Sequence, residues 1–300
     1  MTKNIKFFFF SFLISSLFFG GVNVGGGELE NFFYTSFYQP PPQVFLAQIS
    51  SNVFQEKEPP EIFAASALSV KVYKNGNQKI IFEKNSNQTW PIASLAKLMA
   101  AFVAMENYDL SRQLEVSKEA IGQPEDFGQL KVGESLSVEN LLYLAIIESS
   151  NDAAFTLAEP IGTEAFADLM NLEAKHFGLQ NTNFVDPTGY APETYSTAKD
   201  LVTLSKYFME QRPEIFKISS LAEFDLYTPD GVFHHKLSNT NELLNEYQEI
   251  VGGKTGYTNE AGGCLILILK NSKDGSIFIN VILGAVNRFE EMKKLIEYAL

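Results

Sequence analysis

"VGGKTGYT", residues 251–258, runs into "NEAGGCLILILKN", and the reading of this join decides the fold. Gly253, Lys254 and Thr255 have the form of the end of a phosphate-cradling loop, in which stacked backbone N–H groups and the start of a helix hold a nucleotide. That loop needs a glycine five positions before Gly253, where this chain has Gln248. It also needs a helix after the lysine, where this chain has a turn and then a continuous apolar run of strand length. Lys254 is therefore not a nucleotide lysine, and its partners must be sought elsewhere in the chain.

Working outward, "AGGCLILILKN" is followed by a "SKDG" turn and a second strand, "SIFINVILGAV". A last helix from Phe289 carries Met292, Leu295 and Ile296 as an apolar stripe. Far upstream, "ALSVKVYKNGNQKIIFEKN" predicts a hairpin about its "KNGN" turn. Between these β-rich ends lie four helical segments, Leu95 to Glu106, Val138 to Ile147, Ala165 to Phe177 and Ala198 to Met209. In the third, Phe166, Leu169, Met170 and Phe177 share a face, and Gly178 stands where a C-cap glycine belongs. The fourth opens with Thr197 and Asp200 in capping-box spacing. Strands at both ends with helices between predict an α+β domain, built on one antiparallel sheet that the two chain ends complete together.

At 300 residues and 45% hydrophobic content the chain can bury a sizeable core. Its formal charge of −13 argues against nucleic acid, because nothing concentrates the Lys and Arg that phosphates require. The single cysteine, Cys264, excludes an internal disulfide, and the three histidines are not grouped with it at zinc spacing, so no metal is expected. Cys264 lies in an apolar strand and reads as core. His234 and His235 lie in "TPDGVFHHKLSNT", where a solvated turn is expected.

The N-terminus, "MTKNIKFFFFSFLISSLFFGG", places Lys3 and Lys6 before an apolar run from Phe7 to Phe19 and then switches to glycine. This is the layout of a secretory signal or N-terminal membrane anchor over residues 1–24, with no clear cleavage site. Residues 25–60, with "GGVNVGGG", "YQPPPQ" and "KEPPE", predict a linker, and the folded domain is expected over residues 61–300. An exported protein is expected, periplasmic or on the outer face of the cytoplasmic membrane, attached through this segment if it is not cut.

Upstream of Lys254, "PIASLAKLMAAFVAME" sets Ser94 and Lys97 three apart at the start of a helix. Both side chains then leave one face, so a lysine amine can take the serine proton. "IIESSNDAAF" places Ser149 and Asn151 two apart between helices, offering a hydroxyl and an amide to one cleft. Each pair alone has an ordinary explanation as a helix cap. The ordered set, Ser94-x-x-Lys97, Ser149-x-Asn151 and Lys254-Thr255-Gly256, resembles the signature of penicillin-binding proteins and class A β-lactamases. "SNQTWPIASLAKLMAAFVAME", "LKVGESLSVENLLYLAIIESSNDAAFTLAE", "GLQNTNFVDPTGY", "YSTAKDLVTLSKYF" and "VGGKTGYTNEAGGCL" are similar to consecutive blocks of the low-molecular-mass D-alanyl-D-alanine carboxypeptidases. The likeness runs from about Ser66 to the C-terminus. Two departures stand out. Ser150 replaces the usual glycine or alanine, and the second β-rich domain and amphipathic anchor of many family members have no counterpart before Leu300.

The resemblance implies a β-lactamase/transpeptidase-like fold, an antiparallel sheet flanked by terminal helices with an all-helical subdomain beside it. It implies a peptidoglycan stem peptide ending in D-Ala-D-Ala as substrate, β-lactams as covalent inhibitors, and no cofactor. Ser94 would be the nucleophile, Lys97 the base and Ser149 the proton relay. Asn151 would hold the substrate amide beside Lys254. The backbone N–H groups of Ser94 and Tyr257 would form the oxyanion hole, Gly256 would let substrate lie against the strand, and Thr255 with Arg288 would take the terminal carboxylate. A lowered pKa is required of Lys97, from burial and a neighbouring Lys254 ammonium. No Glu-x-x-Leu-Asn pattern of the β-lactamase kind follows Asn151. An endopeptidase acting on D-Ala cross-links is the alternative within the family, and a β-lactamase the alternative outside it.

Overall fold

In the computed structural model, residues 57–125 and 127–300 are described. The expected leader and most of the expected linker lie outside them. Among the described residues the main sheet has five antiparallel strands, β1 (Ser66–Val72), β2 (Gln78–Lys84), β9 (Ile250–Thr258), β10 (Gly262–Lys270) and β11 (Ile277–Ala285), in the order β2, β1, β11, β10, β9. The short strands β3 (Trp90–Pro91), β4 (Gln113–Glu115), β5 (Ser135–Ser137) and β6 (Tyr195–Ser196) lie outside it. The first and last parts of the chain thus share one sheet, with Val70 opposite Ile279. The predicted turn closes β1 on β2, Gly76 N donating to Tyr73 O at 2.9 Å.

The period-two alternation of the apolar strands feeds two cores. Along β10, Cys264, Ile266 and Ile268 enter the larger core, while Leu265, Leu267 and Leu269 enter the smaller one on the opposite face. The smaller core is closed by the C-terminal helix (Arg288–Ala299), whose Met292, Leu295 and Ile296 are buried as their spacing predicts. Residues ahead of β1 are tied to this helix. Phe63 N donates to Glu291 Oε2 at 2.9 Å, and Ile62 is 2% exposed.

The larger core joins the sheet to a helical region. Its central helix, α1 (Lys97–Asn107), is buried from Lys97 through Ala104, which leaves it no solvated face in that stretch. Around it lie α2 (Lys118–Ile121), α3 (Val138–Tyr143), α4 (Asn151–Ala158), α5 (Thr163–His176), α6 (Ala198–Gln211) and α7 (Pro213–Ser219). Gly178, with φ +76°, is the left-handed residue after α5. Thr197 caps α6 by accepting from Asp200 N at 3.0 Å. The Asp200 side chain does not close the expected capping box. It accepts from Asn181 N at 2.8 Å and Thr182 Oγ1 at 2.9 Å, pinning the preceding loop.

The histidine pair is a correction to the sequence reading. The expected solvated turn is a hairpin of β7 (Glu223–Tyr227) and β8 (Phe233–Ser238), and both imidazoles meet acids. His234 Nε2 lies 2.8 Å from Glu134 Oε1, and His235 Nε2 lies 3.0 Å from Glu148 Oε2. Neither acid is near in sequence, so local polarity could not reveal the pairing.

Candidate active site

The expected nucleophile, Ser94, sits on a 3₁₀ turn (Ala93–Ala96) that runs directly into α1. In a 3₁₀ turn residues three apart eclipse, which brings Lys97 Nζ to 2.7 Å from Ser94 Oγ. Ala93 holds the turn in a left-handed backbone, φ +49°, unusual for a residue with a Cβ. Two glycines pack against it. A Cβ on Gly256 would lie 3.0 Å from Ala93 Cβ, Ile92 O and Ser94 N. A Cβ on Gly189, itself at φ +78°, would fall 2.0 Å from Ala93 O.

Lys97 is fully buried, and burial brings its ammonium down to about 7 from the ordinary 10.5. The Asp186 and Glu125 carboxylates oppose that shift. Of the two causes expected from the sequence, burial and the neighbouring Lys254, burial is the main one. Its amine has two further partners, Asn151 Oδ1 at 2.6 Å and Thr188 O at 2.8 Å. Both are pure acceptors. A neutral amine has two N–H donors and one lone pair, so those acceptors consume the donors and leave the lone pair facing Ser94 Oγ–H.

The second motif follows a break in regular helix. α3 passes into a π-helical stretch (Leu144–Glu148), and Ser149 ends it at φ +65°. Ser150 then caps α4, accepting from Ala153 N at 3.1 Å, so the departure at this position is a helix cap. Ser149 Oγ receives Lys254 Nζ at 2.8 Å, and Lys254 is also held by Thr255 O at 3.1 Å. Burial, reinforced by Lys97 and Arg288, keeps the Lys254 ammonium well below its usual value. Asn151 does not offer its amide to the cleft. Its Oδ1 is on Lys97 and its Nδ2 donates to Pro124 O at 2.6 Å, which makes it a support for the lysine.

Ser94, Ser149, Thr255, Gly256, Tyr257 and Arg288 line one cleft of about 310 Å³. Lys97, Asn151 and Lys254 stand behind its wall, bonded to the serines or to each other. β9, which carries Lys254 to Tyr257, is the edge strand of the sheet among the described residues, and its Thr255, Gly256 and Tyr257 line the cleft. Arg288 is partly buried, and burial lowers its pKa. Sequence reasoning missed four further lining residues, Glu125, Phe127, Glu148 and Thr240. Thr240 Oγ1 lies 2.5 Å from Thr255 Oγ1. Cys264, expected in the core, is fully buried, and burial pushes its thiol up to about 12.

Residues 53–287 match the model of the peptidase S11 family, D-alanyl-D-alanine carboxypeptidase. The chain belongs to this family. It is 32% identical over 242 residues to a D-alanyl-D-alanine endopeptidase of Escherichia coli, covering 79% of this chain and 77% of that one. It is 32% identical over 252 residues to the D-alanyl-D-alanine carboxypeptidase DacF of Bacillus subtilis, covering 79% of this chain but 62% of the relative. Penicillin-binding protein D2 of Listeria monocytogenes, solved in a cefotaxime-bound form, superposes with a TM-score of 0.70 at 31% identity, covering 81% of this chain and 99% of that one. The α+β architecture is thus that of the penicillin-binding carboxypeptidases, an antiparallel sheet with a helical subdomain beside it; of the terminal helices expected to flank the sheet, the described residues contain the C-terminal one, Arg288–Ala299. Within the carboxypeptidase fold, the three motifs meet because the 3₁₀ turn, the end of the π-helical stretch and the edge strand β9 converge on one cleft.

Proposed function

We propose that this carboxypeptidase removes the terminal D-alanine from peptidoglycan stem peptides through an acyl-enzyme on Ser94. The observation that carries the reading is the set of three contacts at Lys97 Nζ, which leaves its lone pair on the serine hydroxyl. Lys97 takes the proton as Ser94 Oγ attacks the penultimate carbonyl carbon. The oxyanion falls to the N–H groups of Ser94 and Tyr257. Ser149, held by Lys254, passes a proton to the leaving amine of the last D-alanine and recovers one from the protonated Lys97, so the proton taken from Ser94 leaves with the product and Lys97 is neutral again. Water then attacks the ester, its proton taken by Lys97 or by the Ser149 and Lys254 pair and returned to Ser94 Oγ as the acid departs. The substrate backbone lies along the open edge of β9 as an added strand, its terminal carboxylate on Arg288 with Thr255 and Thr240.

Mass spectrometry of products tests this against cross-link endopeptidase activity, which the name of the E. coli relative favours. A stem pentapeptide is expected to lose one D-alanine faster than a cross-linked dimer is cut, and the reverse order would assign the endopeptidase reading. Arg288→Gln is expected to lower kcat/KM for the peptide by roughly 10–100-fold, the loss of one charge-assisted contact. β-lactams enter the same reading as covalent inhibitors, supported by the β-lactam-bound relatives. Among the described residues the cleft lining holds two carboxylates, Glu125 and Glu148. Neither lies between Asn151 and Lys254, where a β-lactamase carries its deacylating glutamate, and Glu148 is engaged by His235 Nε2 at 3.0 Å and Ser238 N at 3.3 Å. A penicilloyl adduct surviving for minutes in intact-protein mass spectra is therefore expected. Turnover of penicillin with no adduct would promote the β-lactamase reading.

Export is part of the proposal, resting on the basic, apolar and glycine layout of residues 1–24 and the linker behind it. A membrane-impermeant fluorescent penicillin is expected to label the protein on cells whose cytoplasmic membrane is intact. Labelling only after that membrane is broken would place the domain inside.

A further inference from the structure

We infer that Asp186 is a positioning residue for the base: it shapes the turn over residues 186–191 so that Thr188 O meets Lys97 Nζ and Gly189 bears on the backbone of the nucleophile turn. The inference rests on the proposed roles of Ser94 and Lys97. Asp186 Oδ1 accepts from Thr188 N at 2.7 Å, Thr188 Oγ1 at 2.5 Å, Gly189 N at 2.6 Å and Tyr190 N at 3.4 Å. Its Oδ2 accepts from Ala191 N at 3.2 Å and Thr194 Oγ1 at 3.1 Å. One carboxylate thus gathers backbone and hydroxyl donors from every side of the turn. No neutral side chain can do this, because an amide has one acceptor oxygen where the carboxylate has two.

Both outputs of the turn reach the catalytic residues. Thr188, 3% exposed, turns its carbonyl onto Lys97 Nζ at 2.8 Å and so occupies one of the two donors that must be filled to aim the lone pair. Gly189 comes so near Ala93 O that any side chain there would overlap it. A third tie runs through Thr194. Its hydroxyl bonds Asp186, and its carbonyl accepts from Ile92 N at 3.3 Å, two residues before Ser94. Asp186 touches neither Ser94 nor the cleft lining, so it acts through these groups.

Its charge gives a readout that a purely structural role lacks. The charged groups around Lys97 are Asp186 and Glu125, which favour the ammonium, and Lys254, which opposes it. Removing the Asp186 charge lowers the Lys97 pKa further, so the acidic limb of acylation against pH moves to lower pH.

The test measures acylation of the full chain by a chromogenic penicillin from pH 5 to 9. Asp186→Asn is expected to slow plateau acylation by about 10–100-fold and to move the acidic limb down by about one pH unit. Asp186→Glu, which keeps the charge and disturbs the geometry, is expected to be slowed with the limb unmoved. Thr194→Val removes one donor and leaves the charge, and is expected to slow acylation about tenfold with the limb unmoved. It decides the matter should the asparagine variant fail to fold. An asparagine variant with both the rate and the limb of the wild type overturns the inference, as does a Thr194→Val variant at the wild-type rate. A slowed asparagine variant whose limb stays in place reduces Asp186 to a structural residue and also overturns it. A wild-type chain that neither forms the adduct nor releases D-alanine instead refutes the proposed function.

Discussion

Ser94→Ala is expected to abolish the covalent penicillin adduct, and Lys97→Met to slow its formation by about 10³–10⁴-fold, the upper range for loss of a positioned base. Both substitutions leave the packing nearly intact, because Ser94 Oγ faces the cleft and methionine fills the volume of the buried lysine stem. Their effects on stability differ in a way that tests the electrostatics. The Lys97 ammonium titrates near 7 in the folded protein and near 10.5 in the unfolded chain. Between those values the unfolded state binds more protons, so wild-type stability rises with pH across that window. The full effect is on the order of 5 kcal/mol at about 1.4 kcal/mol per unit. Lys254 adds a slope of the same sign. Lys97→Met is expected to be more stable than the wild type at pH 6 and to show a shallower rise toward pH 10 in thermal unfolding. A covalent adduct on the Ser94→Ala chain would remove Ser94 from its role. A wild-type stability that is flat over this pH range would refute the buried, depressed lysine.

The second large effect is steric. Gly189 and Gly178 share nearly the same left-handed backbone, φ +78° and +76°, but a Cβ on Gly178 meets nothing within 4 Å, whereas one on Gly189 falls 2.0 Å from Ala93 O. Gly178→Ala therefore isolates the backbone strain, about 1 kcal/mol. Gly189→Ala adds an overlap that only a backbone shift can relieve, and is expected to cost roughly 3 kcal/mol or more. For a domain of this size that lowers Tm by about 6–12 °C, against about 2–4 °C for Gly178→Ala. Because the displaced atoms belong to the turn of Ser94, penicillin acylation is expected to fall at Gly189→Ala and to stay at the wild-type rate at Gly178→Ala. Equal unfolding temperatures for the two variants would show that the turn and Ala93 are not packed as described.

Much of this was legible in local pattern. The continuous apolar run in "GGCLILILKN" marks a strand buried on both faces, and the stripe Met292, Leu295 and Ile296 marks the helix that closes the smaller core. Both signals are local and need no knowledge of distant residues. The spacing of three on a helical turn made Ser94 and Lys97 a possible pair, and the resemblance of the three ordered motifs singled them out. Asp186 carried a local signal that went unused. Asp-Pro-Thr-Gly is an aspartate followed by turn formers, the composition of an Asx turn. His234 and His235 carried none, because their acids are 100 residues and 87 residues away.

Residue types and short spacings determined which groups could do acyl-transfer chemistry here, and they also determined the strand and helix that frame it. Only the tertiary structure decided what each group does. It bonded Asn151 to Lys97 and to Pro124 O, made burial the main cause of the lowered lysine, and set Thr188 O and Asn151 Oδ1 on the two donors that aim the amine at Ser94. The physical reason lies in the range of the forces. Periodicity records which face of an element is apolar, a property of neighbours along the chain. Desolvation and the direction of a lone pair depend on groups 54 and 91 residues away, and these meet only when the sheet, the helical region and the turn over residues 186–191 have closed around one amine.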